Sequence, residues 1–209
     1  MQIELHNIGK QFNKKWIFRG INLNLQPDNT YGIIGQNGSG KSTLLKIIGN
    51  ILDISEGNVF YKINEAEIKR NIYKNISFAT PYHALIEEFT LYELLKFHFK
   101  FKDIIDNLSI DDLIVISQLE THKNKAISTF STGMKQRIKL LLAIASQTSV
   151  ILLDEPTTNL DNNSIEWFHS LINKYRANRT VVICSNNNEK ELTLCKTIID
   201  INEYKKSCD

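Results

Sequence analysis

Residues 35–43 carry the pattern with the clearest chemistry in the chain, since they fit the phosphate-binding sequence G-x-x-x-x-G-K-[ST]. Glycines let the backbone curl so that several N–H groups point at one anion, and a helix that starts there adds positive potential. Lys41 can reach the outer phosphates of a nucleotide, and the Ser42 hydroxyl can ligate magnesium. The residues predicted to form this site are Gly35, Asn37, Gly38, Ser39, Gly40, Lys41, Ser42 and Thr43.

Two carboxylates follow an apolar run at residues 149–153. An apolar strand that delivers a carboxylate at its C-terminal end is how nucleotide-binding α/β sheets place the acid that holds the metal. We predict that Asp154 holds magnesium, directly or through water. Glu155 comes one residue later and should lie on the opposite face of an extended chain, where it could polarise an attacking water.

A third segment, residues 129–137, has the sequence Thr-Phe-Ser-Thr-Gly-Met-Lys-Gln-Arg and opens a long apolar helical pattern. Ser131 is a favourable N-cap residue, and the helix start offers a second site for an anion. A capped helix without a ligand is the alternative for this segment taken alone.

The surrounding pattern supplies the elements that must position these residues. An apolar run at 30–34 predicts a strand before the glycine loop, and a helical pattern follows it and ends at Gly49 and Asn50. Further strands are predicted at residues 3–5, 18–25, 59–61, 75–79, 180–184 and 197–201. Residues 56–58 are predicted to be a turn, residues 90–146 are helical in pattern, and residues 204–209 are expected to be a solvated tail.

Composition excludes several classes of protein. The 209 residues contain 25 Lys and Arg against 23 Asp and Glu, a formal charge of +2, so the chain has no global basic field for nucleic acid. Cys184, Cys195 and Cys208 lack metal-ligand spacing and are expected to be reduced thiols in the cytosol. No apolar run approaches the roughly 18–20 residues that span a bilayer, and the chain starts with a predicted strand instead of a signal peptide.

Taken together, these segments resemble the ATP-binding subunit of an ABC transporter. Residues 35–43 resemble the Walker A loop, 131–136 the signature segment, 150–155 the Walker B strand with its catalytic glutamate, and 158–161 the D-loop. The resemblance implies an α/β P-loop NTPase with a mixed sheet, an antiparallel β-subdomain and an inserted α-helical subdomain. It also implies a single domain over residues 1–209, with the helical subdomain at about 84–146.

The resemblance implies a function as well. Two ATPase subunits, identical or different, would close head to tail on ATP and Mg²⁺, with Ser131 and Gly133 of one subunit contacting the γ-phosphate held by the other. An integral-membrane permease subunit would be the further partner, which places the chain in the cytoplasm at the inner face of the cell membrane. Phe12 would stack on the adenine, with Trp16 as the weaker candidate. The aromatic-rich run at 89–101 would form the subdomain core, or a groove for a coupling helix of the permease.

Two positions depart from the family pattern. Pro81 stands where a glutamine that touches magnesium is expected, and proline has no side-chain oxygen. Asn186 stands where a histidine contacts the γ-phosphate, so we assign it a catalytic role beside Glu155, with a shorter side chain that cannot take up a proton at physiological pH. A replacement role for nearby His83 stays open.

These departures keep a second function open, in which the chain hydrolyses ATP slowly and acts as a nucleotide-dependent regulatory switch of a membrane partner. A third reading is an ABC protein acting on ribosomes or DNA. The near-neutral charge and the absence of a long coiled-coil insertion oppose that reading.

Overall fold

The computed structural model describes residues 1–205, so Cys208 and most of the predicted C-terminal tail lie outside the described part. Four strands form an antiparallel sheet: β1 (Gln2–Phe12), β2 (Lys15–Leu25), β4 (Glu56–Ile63) and β5 (Ala66–Glu67), in the order β2-β1-β4-β5. Five others form a parallel sheet: β3 (Thr30–Ile34), β6 (Ile76–Ala79), β7 (Val150–Asp154), β8 (Thr180–Ser185) and β9 (Thr197–Asp200). Their order is β6-β7-β8-β3-β9.

Among the described residues, five α-helices lie in the segments predicted to be helical, and a short one at residues 189–192 was not predicted. They are α1 (Lys41–Ile48), α2 (Leu91–His98), α3 (Ile110–Ser117), α4 (Thr132–Ala145), α5 (Asn162–Tyr175) and the short α6 (Glu189–Leu192). Helix α2 begins with a capping box between Thr90 and Glu93, and α3 with one between Ser109 and Asp112. These local hydrogen bonds satisfy backbone N–H groups that a helix start would otherwise leave unpaired.

The parallel sheet separates two hydrophobic cores. In β7, Val150 and Leu152 pack in the cluster that includes the antiparallel sheet and α1, whereas Ile151 and Leu153 pack with helices α2 to α5. Because successive side chains of a strand point to opposite faces, a continuous apolar run is what a strand buried on both faces needs. The apolar run that predicted β7 therefore has its physical reason in this two-sided burial.

Arg179 fixes the end of α4 to its neighbours. Its guanidinium donates to the carbonyl oxygens of Thr148 and Ile144, both at 2.7 Å, of Ser146 at 2.8 Å and of Tyr175 at 3.2 Å. Burial lowers the pKa of Arg179 to about 10. The contacts satisfy carbonyl groups that the last turns of two helices leave open.

Two local predictions need correction. Residues 56–58 belong to β4 and do not form a separate turn. Gly57 allows this because it adopts φ +90°, where a Cβ would come within 2.4 Å of backbone oxygens of His6 and Asn7. Strand β1 is also longer than predicted, because register shifts after Leu5 let irregular, partly polar sequence continue the ladder.

Candidate nucleotide site

The glycine loop connects β3 to α1, as predicted. Gly40 adopts φ +102° directly before α1, and a Cβ there would come within 2.6 Å of the Ile17 side chain and 3.0 Å of Phe18. Only glycine fits both this conformation and this close approach. The loop thus presses against the antiparallel sheet while its backbone turns towards the start of the helix.

A cavity of about 420 Å³ opens over this loop. All the predicted phosphate-loop residues except Gly35 line it, together with Ile17, Tyr82 and Glu155. The volume lies in the range of small-molecule sites. The structure therefore brings the glycine loop and one of the two predicted acids to the same cavity.

Lys41 is held by oxygen acceptors that carry no formal charge. Its ammonium donates to the carbonyl oxygens of Gly35 at 2.8 Å and Gln36 at 3.2 Å, and to the side-chain oxygen of Asn186 at 2.5 Å. The residue is buried. Because these acceptors carry only partial charges, the positive charge of Lys41 remains available to an anion in the cavity.

Asn186 also bonds to the catalytic candidate Glu155. Its amide nitrogen donates to the Oε1 atom of Glu155 at 2.6 Å. The amide orientation follows from chemistry, since an ammonium can only donate and a carboxylate can only accept. Lys41, Asn186 and Glu155 thus form one hydrogen-bonded chain.

The prediction that Glu155 continues an extended strand is wrong. Strand β7 ends at Asp154, and Glu155 adopts φ +44° in the left-handed region. The N–H of Glu155 donates to the carbonyl of Cys184 at 2.9 Å. The carbonyl of Glu155 accepts from the N–H of Thr158 at 3.1 Å. A tight turn, rather than strand alternation, therefore directs Glu155 to the cavity.

Asp154 fits a hard cation. The carboxyl is buried, and its Oδ1 atom is without a hydrogen-bond partner among the described residues. Burial raises the pKa of Asp154, while a hydrogen bond to Ser42 acts in the opposite direction. A buried carboxylate oxygen with no donor, beside a hydroxyl, has the ligand chemistry that Mg²⁺ prefers.

Ser131 and Gly133 lie at the start of α4 but line a second cavity of about 430 Å³, away from the phosphate loop. The Ser131 hydroxyl accepts from the N–H of Met134 at 3.2 Å and so caps the helix. A Cβ at Gly133 would lie 2.8 Å from the carbonyl oxygen of Asn159. The structure does not bring these two residues to the phosphate-loop cavity within one chain.

The sequence reasoning missed a buried network behind the site. Glu191 accepts from the N–H of Thr157 at 2.9 Å and from its hydroxyl at 2.7 Å. Asn188 donates to the same hydroxyl at 2.9 Å, and Gln136 of α4 donates to the Pro156 carbonyl at 3.0 Å. The loop that follows Glu155 is therefore tied both to the loop that carries Asn186 and to α4.

The adenine platform stays a prediction. Phe12 is 46% exposed and is not among the residues that line the phosphate-loop cavity, and the Lys10 ammonium lies 4.9 Å from its ring centre. The Arg19 guanidinium lies 4.3 Å from the ring of Trp16. Both aromatic residues lie on the β1–β2 hairpin, and each makes a cation–π contact with a basic side chain.

The segment after β6 contacts two different cavities. Tyr82 lines the phosphate-loop cavity, whereas His83 lines an apolar cavity of about 270 Å³ together with Phe97 and Phe101. The structure therefore does not bring His83 to Glu155. Tyr82 was missed by the sequence reasoning, although it directly follows the anomalous Pro81.

The aromatic-rich run has a buried part and an exposed part, and its role as a groove for a coupling helix stays a prediction. Leu91, Leu94 and Leu95 are buried in the helical core. Phe97 and Phe101 remain 39% and 70% exposed beside the apolar cavity. Within residues 1–205, no helix has both the length and the apolar character needed to cross a bilayer.

Comparison with known proteins matches residues 18–158 to the family described as ABC transporter, which is more than half of the chain. The uncharacterized ABC transporter ATP-binding protein YybJ of Bacillus subtilis is 28% identical over 96% of this chain and 92% of its own. A solved structure described as a putative ABC transporter (ATP-binding protein) from Pyrococcus furiosus superposes with a TM-score of 0.82 at 19% identity, over 98% of this chain and 99% of that one. A dimeric ATP-binding cassette bound to ADP and Pi gives a TM-score of 0.79 at 24% identity, over 95% of this chain and 93% of that one.

Proposed function

The chain belongs to the ABC transporter family, among its ATP-binding, ATP-hydrolysing subunits, and from that premise we propose that two copies close on ATP to drive a separate membrane subunit. One observation carries this proposal: Lys41, Asn186 and Glu155 form a continuous chain of hydrogen bonds at the phosphate loop. These hydrogen bonds join a cation that can bind outer phosphates to a carboxylate that can accept a proton. In this proposal residues 1–209 act as a single ATPase domain, with the helical subdomain at about 84–146.

In the reaction, the loop amides and Lys41 bind the phosphates of ATP. Glu155 accepts a proton from a water molecule while the oxygen of that water attacks the γ-phosphorus. The bond between this phosphorus and the β,γ-bridging oxygen breaks, and ADP leaves with that oxygen. Asn186 orients Glu155 through the amide contact at 2.6 Å. Mg²⁺, when held by Ser42 and Asp154, supplies positive charge that stabilises the phosphate oxygens.

The proposal includes a second subunit because Ser131 and Gly133 line a cavity separate from the phosphate-loop cavity. Their helix start offers unpaired N–H groups and positive potential to an anion. We assign these groups to the γ-phosphate of ATP held by the opposite subunit. The neighbouring structure that is dimeric and bound to ADP and Pi is in keeping with this assignment.

The membrane partner should contact the apolar cavity between β6 and α2. The exposed Phe97 and Phe101 line this cavity together with His83. His83 directly follows Tyr82, which lines the nucleotide cavity. Contiguous exposed apolar side chains often mark an interaction surface. In this arrangement the chain is cytoplasmic and peripheral, attached to the inner face of the membrane through its permease.

The dependence of turnover on protein concentration tests the proposal. Phosphate release by the purified chain with Mg-ATP should rise more than linearly with chain concentration, because each site needs residues from two copies. A mixture of Lys41→Ala chains and Ser131→Arg chains should recover activity that neither variant has alone, since one composite site of the mixed dimer is intact. Strictly linear turnover without recovery in the mixture would contradict the two-copy site.

A second function, the slow regulatory switch, is favoured by the two departures from the family pattern. Pro81 provides no side-chain oxygen, and Asn186 engages both Lys41 and Glu155 where a histidine is expected. A switch should close tightly on ATP yet hydrolyse it slowly both with and without its membrane partner. A transport ATPase should be stimulated severalfold when the partner is added.

A further inference from the structure

Tyr82 carries an exposed aromatic side chain that is not held in place by packing. Its side chain is 91% exposed, yet it lines the phosphate-loop cavity together with Glu155. An aromatic ring on a loop gains little from packing when nearly all of its surface faces water. The ring is therefore open both to solvent and to a ligand in the cavity.

The backbone that carries Tyr82 is fixed. The N–H of Tyr82 donates to the Thr80 hydroxyl at 3.3 Å, and the N–H of His83 donates to the Thr80 carbonyl at 3.2 Å, which closes a turn. The Lys139 ammonium, from α4, donates to the carbonyl of Pro81. A hydrogen-bonded turn thus presents the exposed Tyr82 side chain at the edge of the cavity.

The chemistry of Tyr82 suits an anion at this edge. A phenol is a neutral donor and acceptor near pH 7, so it can donate to a phosphate oxygen without carrying a charge. The neighbouring Pro81 cannot supply a polar side chain. Glu155, the proposed base, lines the same cavity, so a terminal phosphate that reaches Glu155 would lie in the cavity that Tyr82 also lines.

We propose that Tyr82 is a further substrate-contacting residue, whose phenol hydroxyl donates a hydrogen bond to the terminal phosphate of ATP. The proposal rests on the ATPase function above and extends it by a residue that discriminates ATP from ADP. The phenol keeps its proton, since the proton of the attacking water passes to Glu155.

Two substitutions separate the hydroxyl from the ring. Binding of ADP and of a non-hydrolysable ATP analogue, both with Mg²⁺, is measured by isothermal titration calorimetry for wild type, Tyr82→Phe and Tyr82→Ala. Tyr82→Phe should weaken the ATP analogue about tenfold or more, the effect of losing a hydrogen bond to a charged group, and leave ADP unchanged. Tyr82→Ala should give the same pattern.

Tyr73→Phe is the matched control, because Tyr73 is also exposed, at 61%, but is not among the residues that line the cavity. It should bind both nucleotides as wild type does. The proposal is overturned if Tyr82→Phe binds both like wild type, or if only Tyr82→Ala weakens binding and does so equally for ADP. Failure of the proposed nucleotide site itself would look different, since wild type would then bind neither nucleotide.

Discussion

The ammonium of Lys41 lies 2.5 Å from the side-chain oxygen of Asn186, a residue 145 positions further along the chain. The opposite end of the same amide lies 2.6 Å from Glu155. One neutral side chain therefore holds both the cation and the carboxylate that we propose act on the nucleotide. Removing any of the three should leave a distinct signature.

Lys41→Ala should abolish the thermal stabilisation produced by Mg-ATP, because it removes the cation that the loop offers to the outer phosphates. A ligand at one hundred times its Kd stabilises the folded state by about 2.7 kcal/mol, which raises Tm by roughly 5–10 °C for a chain of this size. Differential scanning fluorimetry measures the shift. Lys46→Ala, an exposed lysine on the same helix, is the control and should keep the shift. Equal shifts in both variants would refute the phosphate-loop assignment.

Glu155→Gln should bind ATP but stop hydrolysing it, because an amide can orient water yet cannot accept its proton. The expected product is a long-lived ATP-bound dimer, detected by size-exclusion chromatography with light scattering. The exposed Glu166→Gln on α5 serves as the control and should turn over normally. Full turnover by Glu155→Gln would show that the carboxylate is only part of the turn.

Asn186→His should raise turnover severalfold with little change in the affinity for ATP, since an added transition-state contact acts mainly on kcat. A well-placed hydrogen bond of this kind is worth about 2.7–4 kcal/mol, and asparagine already supplies part of it. Asn186→Ala should lower turnover because Glu155 loses its donor. Steady-state kinetics measures both. Unchanged kcat in both variants would mean that Asn186 has no catalytic role.

His98 should make stability fall in acid. Burial, followed by the charges of Lys102 and His83, lowers its pKa from 6.5 to about 4. Between these values the unfolded chain binds a proton that the folded chain does not, so the free energy of unfolding decreases as pH falls from about 6.5 to 4. The loss amounts to about 3 kcal/mol.

Urea denaturation across this pH range checks the His98 prediction. His98→Gln should flatten the pH dependence, whatever it does to stability at neutral pH. Parallel curves for wild type and His98→Gln would rule His98 out as the source of the acid sensitivity.

The sequence predicted the parts of the site that depend on local pattern. The bounds of β3 agreed with prediction because a short apolar run before a glycine loop has few other solutions. The turn at Glu155 could not be predicted, since its bond to the Cys184 carbonyl comes from a neighbouring strand. Glu191 was missed for the same reason: its burial depends on Thr157, 34 residues earlier in the chain.

Arg179 gives α4 a fixed end, and this has a mechanical consequence. The 14 residues of α4 span about 21 Å at 1.5 Å per residue. A rotation of about 10° about the Arg179 end would displace Ser131 at the opposite end by about 4 Å on this geometry. Lys139, which contacts Pro81, lies between the two ends. Any rotation about the Arg179 end would therefore move Ser131 further than Lys139, so a displacement at Pro81 would become a larger one at the helix start that we propose meets the second subunit.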